Sequence, residues 1–238
     1  MSGMLALVGG EEFSPGNEEQ DRRLCRAAAG GPAYVVPTAA ARMGPDKIVA
    51  AAIDWFSKLG LQVQPLRVLK RSDAESLTLA TSAAAGGFFY LVGGDPGLVT
   101  SVLRGTAVWA AICDAWQRGA ALAGSSAGAM AMAEWTLVRA RYPGDRMRRP
   151  VEALGLIAGT EVLPHFNRFG RKWVPSAVQT APASGLVLLG LDERSAAVWD
   201  GAGWSAAGPG AVTVIREGAT DVFHGGDRVA GIPTPGAG

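Results

Sequence analysis

Histidine and cysteine are scarce: the 238 residues contain two of each, His165 and His224, Cys25 and Cys113. The cysteines stand far apart with no CxxC spacing, which argues against a disulfide framework and a zinc knuckle and points to a reducing compartment, the cytoplasm. No uncharged apolar run reaches the roughly 18 residues needed to span a bilayer, and the first residues lack the basic segment of a secretory leader. A dominant charge is missing too. Lys and Arg number 22 against 21 Asp and Glu, a net charge of +1, so no global field draws nucleic acid or an anionic membrane. Neither a GxxxxGK[ST] nor a GxGxxG spacing occurs, which argues against a phosphate or dinucleotide cradle.

What is present suits a globular core. Hydrophobic residues make up 48% and charged residues 18%, with 33 Gly and 14 Pro as turn points, a composition far from disorder. One domain over residues 1–238 is expected, with the Gly- and Pro-rich tail at 231–238 frayed. Short apolar runs alternate with segments of helical period. Strands are predicted at 5–8, 33–36, 61–69, 88–92, 120–123, 161–164, 186–191, 196–199 and 211–216. Helices are predicted at 18–28, 45–58, 72–83, 98–118 and 127–134. Trp55, Trp109, Trp116 and Trp135 fall on helical segments and read as packing residues; Trp173 is the tryptophan expected near a ligand. Strands that are apolar throughout are buried on both faces. The expected fold is therefore α/β, a doubly wound, mostly parallel sheet with helices on both faces.

The strongest local signal is Gly124-Ser125-Ser126-Ala127-Gly128, a G-x-S-x-G between a predicted strand and a predicted helix. That is the setting of a nucleophile elbow, which lifts Ser126 above the sheet edge and makes the Ala127 amide an oxyanion donor. A serine hydroxyl needs a base. His165 follows a strand, at the sheet end where the elbow also opens, whereas His224 lies in a predicted turn between terminal strands. Asp192 and Glu193, directly after another strand, are equal candidates for the carboxylate that orients the imidazole. The Gly93-Gly94 turn allows close approach of backbone N–H groups to an anion. The Arg-rich stretch at 139–149 reads as a solvated loop, with an anion-collecting rim as the alternative.

The order Ser126, His165, Glu193 differs from that of an α/β-hydrolase esterase, which would run from serine through acid to His224. It is similar to the order in the peptidase S51 family, which includes cyanophycinase and aspartyl dipeptidase, a serine branch of the class I glutamine amidotransferase-like fold. Leu7-Val8-Gly9-Gly10-Glu11, Val36-Pro37-Thr38-Ala39, Gly93-Gly94-Asp95, the elbow, Pro164-His165-Phe166 and Gly190-Leu191-Asp192-Glu193 carry the resemblance. It implies Ser126 as nucleophile, His165 as general base, Glu193 as acid, and Gly94 as the second oxyanion donor beside Ala127. It also implies Asp95, Arg168 and Arg171 as substrate-binding residues, arginine offering a planar fork for a carboxylate. The implied reaction is hydrolysis of a short peptide or isopeptide with an Asp-like residue near the scissile bond, needing no metal or organic cofactor, with a homodimer as the implied assembly. Pro96 and Leu163-Pro164 stand where cyanophycinases carry Gln and Asp-Gln, which points away from strict cyanophycin cleavage. A non-catalytic binding protein on the same fold is the alternative from another class.

Overall fold

The computed structural model describes residues 2–139, 148–181 and 184–236. The chain opens with β1 (Leu5–Val8), α1 (Glu18–Ala27), β2 (Ala33–Val36), α2 (Pro45–Lys58), β3 (Val63–Pro65), α3 (Arg71–Ala74) and α4 (Leu77–Ala84). There follow β4 (Phe88–Leu91), α5 (Pro96–Leu103), α6 (Ala107–Gln117), β5 (Ala121–Ser125), α7 (Ala127–Met132), β6 (Ala133–Val138) and β7 (Arg149–Glu152). The remainder forms β8 (Ile157–Leu163), α8 (Val174–Gln179), β9 (Val187–Leu191), β10 (Ala196–Trp199), β11 (Trp204–Ala207), β12 (Ala211–Arg216), β13 (Ala219–His224) and β14 (Arg228–Val229).

The architecture is α/β with helices on both faces, and its strands fall into two sheets. The first has the order β14-β11-β10-β1-β5-β4-β2-β3. Its strands β1, β5, β4, β2 and β3 are mutually parallel, while β10, β11 and β14 extend it antiparallel. The second, β13-β12-β9-β8-β6-β7, is parallel over β6, β8 and β9 and antiparallel at its edges. Strands β1, β2, β4, β5 and β9 are buried at every residue, as their unbroken apolar runs require.

Several boundaries differ from the expected ones for local reasons. The helix expected over 98–118 breaks at Arg104-Gly105-Thr106. Gly105 adopts φ 67°, which ends α5, and the Thr106 hydroxyl accepts the Trp109 N–H to start α6. The helix expected over 72–83 splits at Glu75-Ser76, where the Ser76 hydroxyl accepts the Leu79 N–H to start α4. β3 is shorter than expected; Pro65, which has no N–H to offer the ladder, closes it at the sheet edge. α7 stops at Met132, where Ala133 turns to an extended ψ of 173°, so Trp135 lies on a strand and not on a helix.

The tail also departs from expectation, since residues 231–236 pack back onto the fold. Ile232 is buried, the Trp204 Nε1–H donates to the Pro233 carbonyl (2.9 Å), and the Gly236 N–H donates to the Leu156 carbonyl (2.9 Å). Among the described residues no single helix is long and apolar enough to cross a membrane. Arg141 and Arg146 of the Arg-rich stretch lie outside the described residues.

Candidate active site

Ser126 sits between the end of β5 and the start of α7 with φ 48° and ψ −110°, a conformation that L-residues seldom occupy. Both flanks must be small. A Cβ on Gly124 would lie 2.6 Å from the Gly128 carbonyl carbon, and one on Gly128 would lie 2.4 Å from the Leu91 oxygen. The Ser126 N–H donates to the Val8 carbonyl of β1 (2.9 Å), and its own carbonyl accepts the Met130 N–H (2.9 Å). The hydroxyl is thus held at a sharp turn by backbone on both sides, and the Ala127 N–H, first in its helix, has no intrahelical acceptor.

His165 lies two residues beyond β8, also at positive φ (49°). Its N–H donates to the Gly9 carbonyl (2.8 Å), and its carbonyl accepts the N–H groups of Arg168, Phe169 and Gly170 at 2.9–3.0 Å. So anchored, its Nε2 lies 3.1 Å from Ser126 Oγ and its Nδ1 lies 2.9 Å from Glu193 Oε1. The His165 and Glu193 side chains are only 16% and 9% exposed, so these bonds are largely shielded from competing water. The two acidic candidates separate here. Glu193 faces the imidazole, and its N–H donates to Asn167 Oδ1 (3.1 Å), whereas Asp192 turns its Oδ2 to the Ala211 N–H (2.9 Å). His224 is exposed, at the last position of β13 and paired with Ala211, away from this group.

The Gly93-Gly94 turn follows β4, the strand beside β5. Gly94 has φ 144° and faces the cavity, and among the described residues its N–H has no protein acceptor. Asp95 lines the same cavity with its Oδ1 committed to capping α5, accepting the N–H groups of Gly97 (2.9 Å) and Leu98 (3.2 Å). The sequence reading missed Glu12. Its Oε1 accepts the Gly93 N–H (2.7 Å) and its Oε2 accepts the Ser125 hydroxyl (2.8 Å). It belongs to no motif, being 81 and 113 residues from those partners.

The cavity has a volume of about 670 Å³ and includes Ser126 and His165 in its wall. Arg42, Arg139, Arg148 and Arg149 also line it, against Asp95 as the sole lining carboxylate among the described residues. Burial, followed by the nearby Arg139 charge, lowers Arg148 below the ordinary arginine range. Its guanidinium lies 3.8 Å from the centre of the Trp173 ring, and Trp173, Phe169 and His165 form a column of rings 5.3 and 4.8 Å apart. Trp173 thus lines the cavity, as the sequence suggested. The two arginines drawn from the family resemblance lie elsewhere. Arg168 is 68% exposed and reaches Glu193 Oε2 at 3.9 Å; Arg171 stacks over Phe166. Burial pushes the Cys25 thiol up to about 11 and the Cys113 thiol to about 12, so neither supplies a thiolate near neutral pH. Among the described residues no group of three or more His, Cys, Asp or Glu could hold a metal ion.

The arrangement can pass a proton from a hydroxyl to an imidazole backed by a carboxylate, beside two outward N–H groups, in a pocket suited to an anion. The family model for Peptidase family S51 matches residues 5–221. In solved structures, the chain is similar to a peptidase from an acI-B1 Actinobacterium, with 30% identity, 96% of this chain and 97% of that chain covered, and a TM-score of 0.82. It shares its fold with a putative peptidase E protein from Listeria monocytogenes EGD-e, at 17% identity, 97% and 100% coverage and a TM-score of 0.59. The curated proteins contain no match.

Proposed function

The chain belongs to peptidase family S51, a family of serine peptidases, and from that premise we propose that it hydrolyses a short peptide or isopeptide with an acidic group near the scissile bond, through an acyl-enzyme on Ser126. The observation that carries this reading is the hydrogen-bonded chain Ser126–His165–Glu193 at the wall of an arginine-lined cavity. Ser126 Oγ bonds to the carbonyl carbon as its proton passes to His165 Nε2, and the carbonyl oxygen becomes an oxyanion facing the Gly94 and Ala127 N–H groups. Collapse breaks the C–N bond, and the imidazolium returns its proton to the departing amine. Water, deprotonated by the same imidazole, then attacks the ester, releasing the acid and restoring Ser126. Glu193 Oε1 accepts the Nδ1–H throughout, keeping Nε2 free to take the proton and stabilising the imidazolium once it forms.

The substrate class follows from charge and size. Four guanidiniums against one capped carboxylate favour a ligand bearing carboxylates, which arginine can hold by two parallel bonds. A volume of about 670 Å³ matches a small ligand more closely than a protein loop. The test is a panel of α- and β-linked Asp dipeptides, their neutral counterparts and simple esters. Wild type is expected to prefer the acidic members, with Ser126→Ala inactive and Arg148→Ala raising KM for them about tenfold. Turnover confined to neutral peptides or non-peptide esters would overturn the assignment.

A further inference from the structure

We propose that Glu12 is the positioning residue that locks the oxyanion turn to the nucleophile elbow. This inference rests on the reading of Ser126 as nucleophile and goes beyond it. One carboxylate grips both the glycine turn and the elbow, Oε1 holding the N–H of Gly93 and Oε2 the hydroxyl of Ser125. Gly93 and Ser125 are the residues immediately before Gly94 and Ser126. The Gly93 N–H belongs to the peptide unit immediately before the one that carries the Gly94 N–H, so the carboxylate anchors the near end of that unit and leaves only the Gly93 dihedrals between anchor and donor. The far side of the turn is pinned as well, the Asp95 N–H donating to the Ala39 carbonyl (3.0 Å). Between two tethered neighbours, the Gly94 N–H is left pointing without an acceptor among the described residues. The fit is close: a Cβ on Gly93 would come within 2.8 Å of Glu12 Oε1 and 3.3 Å of Ser126 Cβ.

The loop that delivers Glu12 is itself held under strain. Glu11 and Phe13, on either side, both have φ 57°, a conformation costly for residues with a Cβ. The loop is fixed on one side by the Glu11 carbonyl, which accepts from Asn17 Nδ2 (2.7 Å) and Ser14 Oγ. On the other, the Phe13 ring packs against Tyr90 and Phe56, with centroids 5.0 and 5.7 Å apart. A loop strained on both sides of one carboxylate, and tied down at each end, has the form of a device for placing that carboxylate.

A fluorophosphonate probe tests this without knowledge of the substrate. Ser126 Oγ forms a bond to phosphorus, the P–F bond breaks with loss of fluoride, the serine proton passes to His165, and the phosphoryl oxygen occupies the oxyanion position. Labelling of wild type that is lost in Ser126→Ala checks the underlying peptidase reading; its failure would sink that reading, separately from this one. Given labelling, Glu12→Ala is expected to slow it at least tenfold. Glu12→Asp, one methylene too short to reach both partners, is expected to do the same, and it serves if the alanine variant does not fold. Glu12→Gln keeps an acceptor for Gly93 and is expected to restore at least a third of the wild-type rate. The pH at which labelling reaches half its maximum is expected to be the same in all folded variants. Glu12→Ala or Glu12→Asp labelling at the wild-type rate would overturn the proposal. So would equal losses in Glu12→Gln and Glu12→Ala with a displaced pH midpoint, since the effect would then come from charge on the imidazole.

Discussion

The two sheets contribute different halves of the candidate site. In the first, the adjacent parallel strands β4 and β5 end in the glycine turn and in Ser126; in the second, the adjacent parallel strands β8 and β9 lead into His165 and Glu193. Within each sheet the ladder sets the spacing of its pair, about 4.8 Å between strands. The contact between the halves, Ser126 to His165, has no ladder to set it. The C-terminal end of β1 takes that role. Val8 accepts the Ser126 N–H, Gly9 the His165 N–H, and Gly10 the Arg194 N–H beside Glu193. Three consecutive carbonyls of one strand end thus register both halves against the same backbone.

If the halves act as one unit, removing either side should cost nearly as much as removing both. Ser126→Ala and His165→Ala are each expected to lower kcat by roughly 10⁴- to 10⁶-fold, with the double variant little worse than either single one. Single-turnover kinetics on a cleavable Asp dipeptide, once found, would check this. Losses that multiply in the double variant would show the two sheets acting independently.

A smaller effect comes from disturbing the junction alone. Gly10 has φ 113°, and a Cβ there would stand 2.3 Å from His165 Cε1 and 2.5 Å from Nε2. Gly10→Ala should therefore displace the imidazole without touching Ser126, lowering kcat/KM roughly 10²-fold, the typical cost of misplacing a reacting group by about 1 Å. A crystal structure with the ring unmoved, or activity within threefold of wild type, would mean that the junction tolerates more slack than its contacts imply.

The sheets also differ in how far they could be read from the sequence. In the first, β1, β2, β4 and β5 are buried at every residue and alternate with helices, so their short apolar runs located them. In the second, β6 follows α7 with no Gly or Pro at the junction, so the switch from helix at Met132 to strand at Ala133, inside the helix expected over 127–134, is decided only by tertiary pairing. The edge strand β13 is exposed along most of its length and has no apolar face to betray it. Ser126, His165 and Glu193 were legible because each follows a strand and matches a family motif. Glu12 and Arg42 were not, since their roles depend on loops closing over long sequence separations, and the family pattern pointed instead to Arg168 and Arg171, which stack or face outward.

The smallest expected effect concerns stability, and here too the sheets differ. Behind the first, Asp21 is buried but accepts the Trp55 Nε1–H (2.8 Å), and burial raises its carboxyl to about 7 despite that bond. On β8 of the second, Glu161 is fully buried, neither oxygen has a hydrogen-bond partner among the described residues, and burial alone raises it to about 7. The folded state therefore keeps a proton that the unfolded chain gives up near its ordinary value of about 4.5. Below that pH both states are protonated and there is no charge to bury. Between about 4.5 and 7 wild-type stability falls as pH rises, because the folded state binds the extra proton, and above about 7 the full penalty is present. Glu161→Met keeps the length of the side chain and removes the charge. Its advantage over wild type should widen across that window by about 3 kcal/mol, or roughly 6–12 °C in Tm, while the Asp21 contribution cancels in the difference. Melting curves of both proteins at pH 4.5, 6 and 8 would measure it. A gap that stays constant with pH would mean that Glu161 titrates alike in the folded and unfolded chain, its burial offset by some other interaction.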